Sequence, residues 1–371
     1  MNRTVDTAVA RYLREQLAHR ITSPEDPWRR SFARVPRHVF VPDYLEQDST
    51  LEWRTVTAQD PRHLPGVYSD QALTTQVTDG QPTSSSSRPS LMLAMLHALD
   101  VRQLNRVLEV GTGTGYNAAL LGHRLGDQLV TTVDVDPELT RVAGERLNEA
   151  GYRPHIRTGD GAKGVPDRGP FDRIIATCGL QSVPLAWIDQ AADGAVVVVP
   201  IGWGVARLIV RDGRAEGRFL PGAAYFMPRR TAAPPAQPAE ILAMEPRPAP
   251  TRLAVAEVLR RLDFPLSIAL PGYSSCVWAD EQSGAVEAVG IWTPDGSIAH
   301  AHTDGTVRQA GPRLLWETVE ATDELFPQQS PGRSGFGITV TAERQYVWHA
   351  ARTGATWDLS VIDAENGAAP S

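Results

Sequence analysis

A nine-residue run, Leu108-Glu109-Val110-Gly111-Thr112-Gly113-Thr114-Gly115-Tyr116, restricts the fold of this chain most. It passes from a short apolar strand pattern into glycines, and a helical pattern opens at Asn117. A strand that ends in glycines before a helix lets a ligand approach backbone amides at a helix N-terminus. Dinucleotide sites use G-x-G-x-x-G, whose third glycine would fall where this chain has Tyr116. The G-x-G-x-G spacing, with Glu109 just before it, favours S-adenosylmethionine instead. That ligand has no pyrophosphate, and its cationic amino group calls for a nearby carboxylate.

The surrounding pattern supports a nucleoside site. Arg106–Val110, Leu129–Asp134, His155–Thr158, Phe171–Thr177 and Ala195–Pro200 read as strands, with helices over 117–125 and Pro137–Ala150 between the first of them. Strands alternating with helices form a parallel sheet covered on both faces, so a doubly wound α/β domain is expected. The first strand end carries Glu109, Gly111, Thr112, Gly113 and Gly115 as candidate cofactor residues. Asp134 ends the second strand, where a carboxylate accepts ribose hydroxyls; it or Asp136 is alternatively the cap of the helix from Pro137. Asp160 and Gly161 end the third, with Asp160 suited to an adenine amino group.

Composition narrows the class. A length of 371 residues suggests two domains, and a net charge of −7 argues against phosphate neutralisation on nucleic acid. No apolar run reaches the roughly 20 residues of a membrane span, and the N-terminus lacks a signal-peptide core. Cys178 and Cys276 are too few for a disulfide framework or a cysteine zinc site. A cytoplasmic protein without metal, membrane or nucleic-acid partner is expected; oligomeric state is not legible.

Residues 1–231 are expected to hold the α/β domain, with a helix over 4–19 and a short helix then an extended crossing within 28–45. Residues 232–250 read as a Pro/Ala-rich linker, 251–365 as a smaller C-terminal α+β domain, and 366–371 as a disordered tail. In the C-terminal part, Asp295-Gly296 and Asp304-Gly305 mark hairpin turns, Arg313–Leu325 a helix and Gly337–Ala350 a strand. His300 and His302 share one strand face but lack a third ligand, and Cys178 reads as packing. Most of Trp278, Trp292, Trp316, Trp348 and Trp357 are expected in the core, with one or two left as a peptide platform.

Over about 28–230 the chain resembles the protein-L-isoaspartate O-methyltransferase family. The likeness is carried by Arg34-Val35-Pro36-Arg37-His38-Val39-Phe40-Val41-Pro42, Tyr68-Ser69-Asp70-Gln71-Ala72-Leu73, Gly159-Asp160-Gly161, Pro170-Phe171-Asp172-Arg173-Ile174-Ile175 and Val199-Pro200-Ile201-Gly202. The resemblance implies a class I methyltransferase fold and methyl transfer from S-adenosylmethionine to an aspartyl or isoaspartyl carboxylate, with S-adenosylhomocysteine released. The family carries Thr-Ile-Ser before Gln-Pro. Aligned on Pro89, Ser85 stands for the threonine, Ser86 for the isoleucine, Ser87 for the serine and Arg88 for the glutamine.

A serine run alone reads as a flexible loop. With Arg88 it reads as hydroxyls and a guanidinium facing a carboxylate. Ser87, Ser85 and Arg88 are therefore the candidate catalytic residues, with Asp70 orienting the pocket or capping a turn. The extension beyond 232, and Tyr225-Phe226-Met227-Pro228-Arg229-Arg230, resemble longer actinobacterial members found beside ribosomal peptide natural products of the lanthipeptide type. That likeness implies methylation of an aspartate in a cyclised peptide, leading through aspartimide to isoaspartate. The alternatives are isoaspartyl protein repair and a non-catalytic peptide-binding module. A carboxylate is already ionised at neutral pH, so this chemistry needs positioning rather than a strong base.

Overall fold

The computed structural model describes residues 6–48, 50, 52–227, 247–280 and 282–359. Its two compact units interleave in sequence: 1–178, 184–199 and 207–215 make the first, and 179–183, 200–206 and 216–371 the second.

In the first unit the parallel strands His155–Thr158, Val130–Asp134, Val107–Val110, Phe171–Ala176 and Ala191–Ile201 lie side by side in that order. The chain enters at Val107–Val110, steps twice to one side, then resumes on the other at Phe171–Ala176. That reversal opens a crevice at the carboxyl ends of the two central strands, the place where open α/β sheets bind ligands. All four residues of Val107–Val110 are buried, as a strand covered on both faces requires. Asp136 caps the Pro137–Glu149 helix, accepting the Glu138 and Leu139 amides at 2.9 and 3.1 Å, with Pro137 in the first turn. The cap is thus Asp136, which leaves Asp134 to the strand end.

Helices Ala8–Ile21, Arg29–Arg34 and Arg37–Phe40 precede this sheet. Within 28–45, expected as a short helix and an extended crossing, the chain makes two helices before the strand from Tyr44, the second a single turn. Pro36 sits at its N-cap, where a missing N–H leaves nothing unpaired. Trp53–Val56, Tyr44–Gln47, Leu73–Thr78 and Gln81–Ser86 then form a four-stranded antiparallel sheet. The serine run belongs to this sheet and is no flexible loop: Ser86 pairs with Leu73 and Ser85 with Thr74. The hairpin closes at Asp79-Gly80, both with positive φ (51° and 75°), the backbone of a tight two-residue turn.

The second unit contains a five-stranded antiparallel sheet in the order Arg247–Pro250, Thr306–Ala310, Ile298–His302, Val286–Trp292, Ser274–Ala279. Val289, Ile291, Ala299, Ala301 and Val307 are buried, and helices Val255–Arg261 and Leu315–Leu325 pack on this sheet. Arg247–Pro250, expected within the linker, is an edge strand, the position where prolines are tolerated in a sheet. The rest of that segment, 232–246, lies outside the described residues, as do Pro228–Arg230 and everything from 360 onward.

The expected strand over 337–350 is a hairpin of Phe336–Val340 and Gln345–His349. Phe264 bridges Phe219 and Phe336, with ring centroids 4.9 and 5.0 Å away, in this unit's core. Trp316 and Trp348 are buried, whereas Trp278 is 45% exposed and packs edge-on against His300. Among the described residues no helix is long and apolar enough to cross a membrane.

Candidate active site

The glycine loop follows the central strand as expected. Gly111, Gly113 and Gly115 have φ of 99°, 50° and 86°, a region that disfavours residues with a Cβ. At Gly111 the demand is doubly strict, because a Cβ there would stand 2.6 Å from Thr177 Oγ1. Thr177 donates that hydroxyl to the Gly111 carbonyl at 2.6 Å, tying the loop to the neighbouring strand end.

Glu109 is fully buried, and each carboxylate oxygen has an internal donor. Asn117 Nδ2 donates to one at 2.7 Å and Thr132 Oγ1 to the other at 2.6 Å. Thr132 also lies 2.7 Å from the Thr112 hydroxyl, so the buried Thr112 serves the same network. Glu109 was expected to face the ligand; in the structure it holds the strand, the loop and the following helix in register. Burial pushes its carboxyl up to about 7, against the pull of its two donors.

Asp134 is half-buried, accepting the Gly113 amide at 2.9 Å on one oxygen and the Asp136 amide at 3.2 Å on the other. Asp160, also half-buried, accepts the Ala162 amide at 3.0 Å. Beside it a Cβ on Gly161 would stand 2.4 Å from Val110 Cγ1, and Trp187 donates its indole N–H to the Gly161 carbonyl at 2.7 Å. These contacts bring three consecutive strand ends together.

Strand alternation sorts the four serines. Ser84 and Ser86 are buried; Ser84 Oγ accepts from Thr75 at 3.2 Å and Ser86 Oγ from Arg37 at 3.3 Å. Ser85, turned the other way by that alternation, and Ser87, just past the strand's last residue, are the expected pair and are half-buried. A Cβ built on Gly113 would lie 3.9 Å from the Ser85 carbonyl, so this strand end abuts the glycine loop. Arg88 is exposed at the N-cap of helix Pro89–Leu99 and makes no hydrogen bond to another described residue through its side chain. Asp70 accepts the Ser90 amide at 2.8 Å, which secures the first turn of that helix.

Comparison with known proteins decides the family. The model of the protein-L-isoaspartate(D-aspartate) O-methyltransferase family matches residues 11–220, more than half of the chain. The chain belongs to this family. As a member it is an S-adenosylmethionine-dependent protein carboxyl O-methyltransferase. Relatives named protein-L-isoaspartate O-methyltransferase include one from Ignicoccus hospitalis, 34% identical and covering 53% of this chain and 84% of that one. Another, from Methanopyrus kandleri, is 33% identical and covers 59% and 92%. A third, from Methanoculleus marisnigri, is 32% identical and covers 52% and 78%.

A solved structure titled protein-L-isoaspartate O-methyltransferase shares the fold, with a TM-score of 0.53 at 20% identity. The match covers 91% of this chain and all of that one. The match therefore extends beyond residue 232.

The strand-end residues fit S-adenosylmethionine. Gly113 and Gly159 leave backbone accessible, with nothing within 3.8 Å of a built Cβ at Gly113 and nothing within 4 Å at Gly159. Asp134 and Asp160 supply carboxylates at consecutive strand ends. When bound, the cofactor supplies an electrophilic methyl group. Asn117, Thr132 and Thr177 escaped the sequence reading. None had a sequence signal, since the register that sets Thr132 across the parallel ladder from Glu109 comes only with the fold.

Proposed function

We propose that the protein methylates the carboxylate of isoaspartyl residues in peptides or proteins, as its relatives' names describe. The observation that carries this reading is the seating of the Ser84–Ser87 strand end against the Gly113 loop, within one unit. Asp134, Asp160 and the glycine loop would hold the cofactor. Ser85 and Ser87 hold the acceptor carboxylate, donating hydroxyl hydrogens to one oxygen and leaving the other to react. The ionised carboxylate is itself the nucleophile, so no residue need remove a proton. What the protein contributes is orientation and exclusion of water.

A second reading is favoured by a specific departure. Ser85 and Arg88 stand where the family has threonine and glutamine, so the acceptor pocket carries an exposed cation, while Ser86, in place of isoleucine, faces Arg37 inside. Such a pocket suits an aspartate in a constrained, cyclised ribosomal peptide, with the C-terminal unit recognising the ring. The ester would then close to aspartimide by attack of a backbone nitrogen, with methanol leaving. The test is methyl-ester formation on three peptides of one sequence: linear isoaspartyl, linear aspartyl and cyclised aspartyl. Turnover on the isoaspartyl peptide alone supports the first reading. Turnover on the cyclic aspartyl peptide alone replaces it with the second.

A further inference from the structure

We propose that Arg37 is the positioning residue of the acceptor pocket, a buried cation that clamps the two segments shaping it. The proposal rests on the carboxylate reading above and concerns a residue given no role by it. Arg37 is fully buried and opens the short Arg37–Phe40 helix. Its guanidinium makes no ion pair with a described carboxylate. Nη1 donates to the carbonyls of Val67 and Ser69 at 2.8 and 3.2 Å. Nη2 lies 3.1, 3.2 and 3.1 Å from the carbonyls of Gln71, Ser86 and Ser87. Nε and Nη2 both lie 3.3 Å from Ser86 Oγ. The guanidinium carbon also lies 5.8 Å from the ring centroid of Tyr116, the residue that follows the glycine loop.

Five carbonyls from two separate segments thus converge on one planar cation. Lysine offers a single point of donation and cannot span them. The convergence has a directional consequence. In a trans peptide the C=O and the next N–H point in opposite directions. With the Ser86 and Ser87 carbonyls drawn inward, the amides of Ser87 and Arg88 are turned away from Arg37, and neither donates to a described backbone carbonyl. Arg37 therefore sets the orientation of the backbone that carries Ser87. An internal cation without an ion-pair partner is costly on its own, and an anionic acceptor nearby offsets part of that cost.

The test uses the full chain with Arg37→Met and Arg37→Lys, read by amide hydrogen exchange, S-adenosylhomocysteine affinity and steady-state kinetics on the isoaspartyl peptide. In Arg37→Met, exchange should rise at least tenfold over 67–71 and 84–88 while the Pro137–Glu149 helix is unchanged. S-adenosylhomocysteine affinity should stay within threefold of wild type, and KM for the peptide should rise at least tenfold. Arg37→Lys should fall between. Unchanged exchange in both segments, or cofactor affinity falling in step with turnover, would overturn the assignment. If the wild-type protein does not turn over the peptide, the carboxylate reading fails, and the exchange data alone still decide whether Arg37 holds the two segments.

Discussion

At the scale of single residues, Glu109 and Ser87 illustrate opposite uses of a polar group. Glu109 carries a carboxyl raised by burial, so the folded state holds its proton through a pH range where the unfolded chain has released it. Stability from this group is therefore greatest below its unfolded value and declines as pH rises to about 7, by up to about 3 kcal/mol. Urea melts between pH 5 and 8 should show this decline in wild type and a flatter profile in Glu109→Gln; identical slopes would remove the effect. Ser87 is half-buried at the proposed acceptor site, so Ser87→Ala should cut kcat/KM on the isoaspartyl peptide by about 10- to 100-fold. Its affinity for S-adenosylhomocysteine, measured by calorimetry, should stay within about threefold, and an equal loss of both would place Ser87 in the cofactor site. The sequence pointed to both residues through their neighbours. It could not show that Glu109 faces Asn117 and Thr132, because strand register and helix rotation decide that contact.

At the scale of elements, the glycine loop was the most legible part of the chain, since backbone geometry leaves few residues able to make it. Gly111→Ala puts a Cβ at positive φ and against Thr177 Oγ1, a strain of about 1–2 kcal/mol before any clash is counted. The expected result is a loss of at least tenfold in S-adenosylhomocysteine affinity with the fold retained by circular dichroism; wild-type affinity would mean that the loop relaxes freely. The serine hairpin was less legible. Serine has weak strand preference, and the composition of 83–87 reads as loop until Asp79-Gly80 is recognised as a turn pairing it with Leu73–Thr78. The second helical turn of 28–45, after Pro36, was missed for a related reason: proline blocks a helix interior but suits its start.

At the scale of the molecule, the central α/β order could be read from alternating patterns, but the interleaving of the units could not. Gln345 donates to the Val183 carbonyl and accepts its amide at 2.7 and 2.9 Å, across 162 positions of sequence. Pairings so remote leave no local trace. Phe219 and Phe264 lie on opposite sides of residue 235, so deletion of 235–371 strips a buried face from what remains. Such a truncation is expected to aggregate, measured as the soluble fraction after expression; a soluble product with wild-type cofactor affinity would show that the remaining chain folds alone. The Asp79-Gly80 turn, finally, bears on how the molecule ages. Its aspartate is exposed, makes no hydrogen bond to a described residue through its carboxylate, and is followed by a glycine with no Cβ to shield the next amide. Slow spontaneous rearrangement there would insert a methylene into the backbone of the hairpin that carries the acceptor serines. Peptide mapping of protein stored for weeks at 37 °C should find isoaspartate at 79, with peptide turnover fading before cofactor binding, so that the protein's own shelf life is set by the damage its relatives are named for.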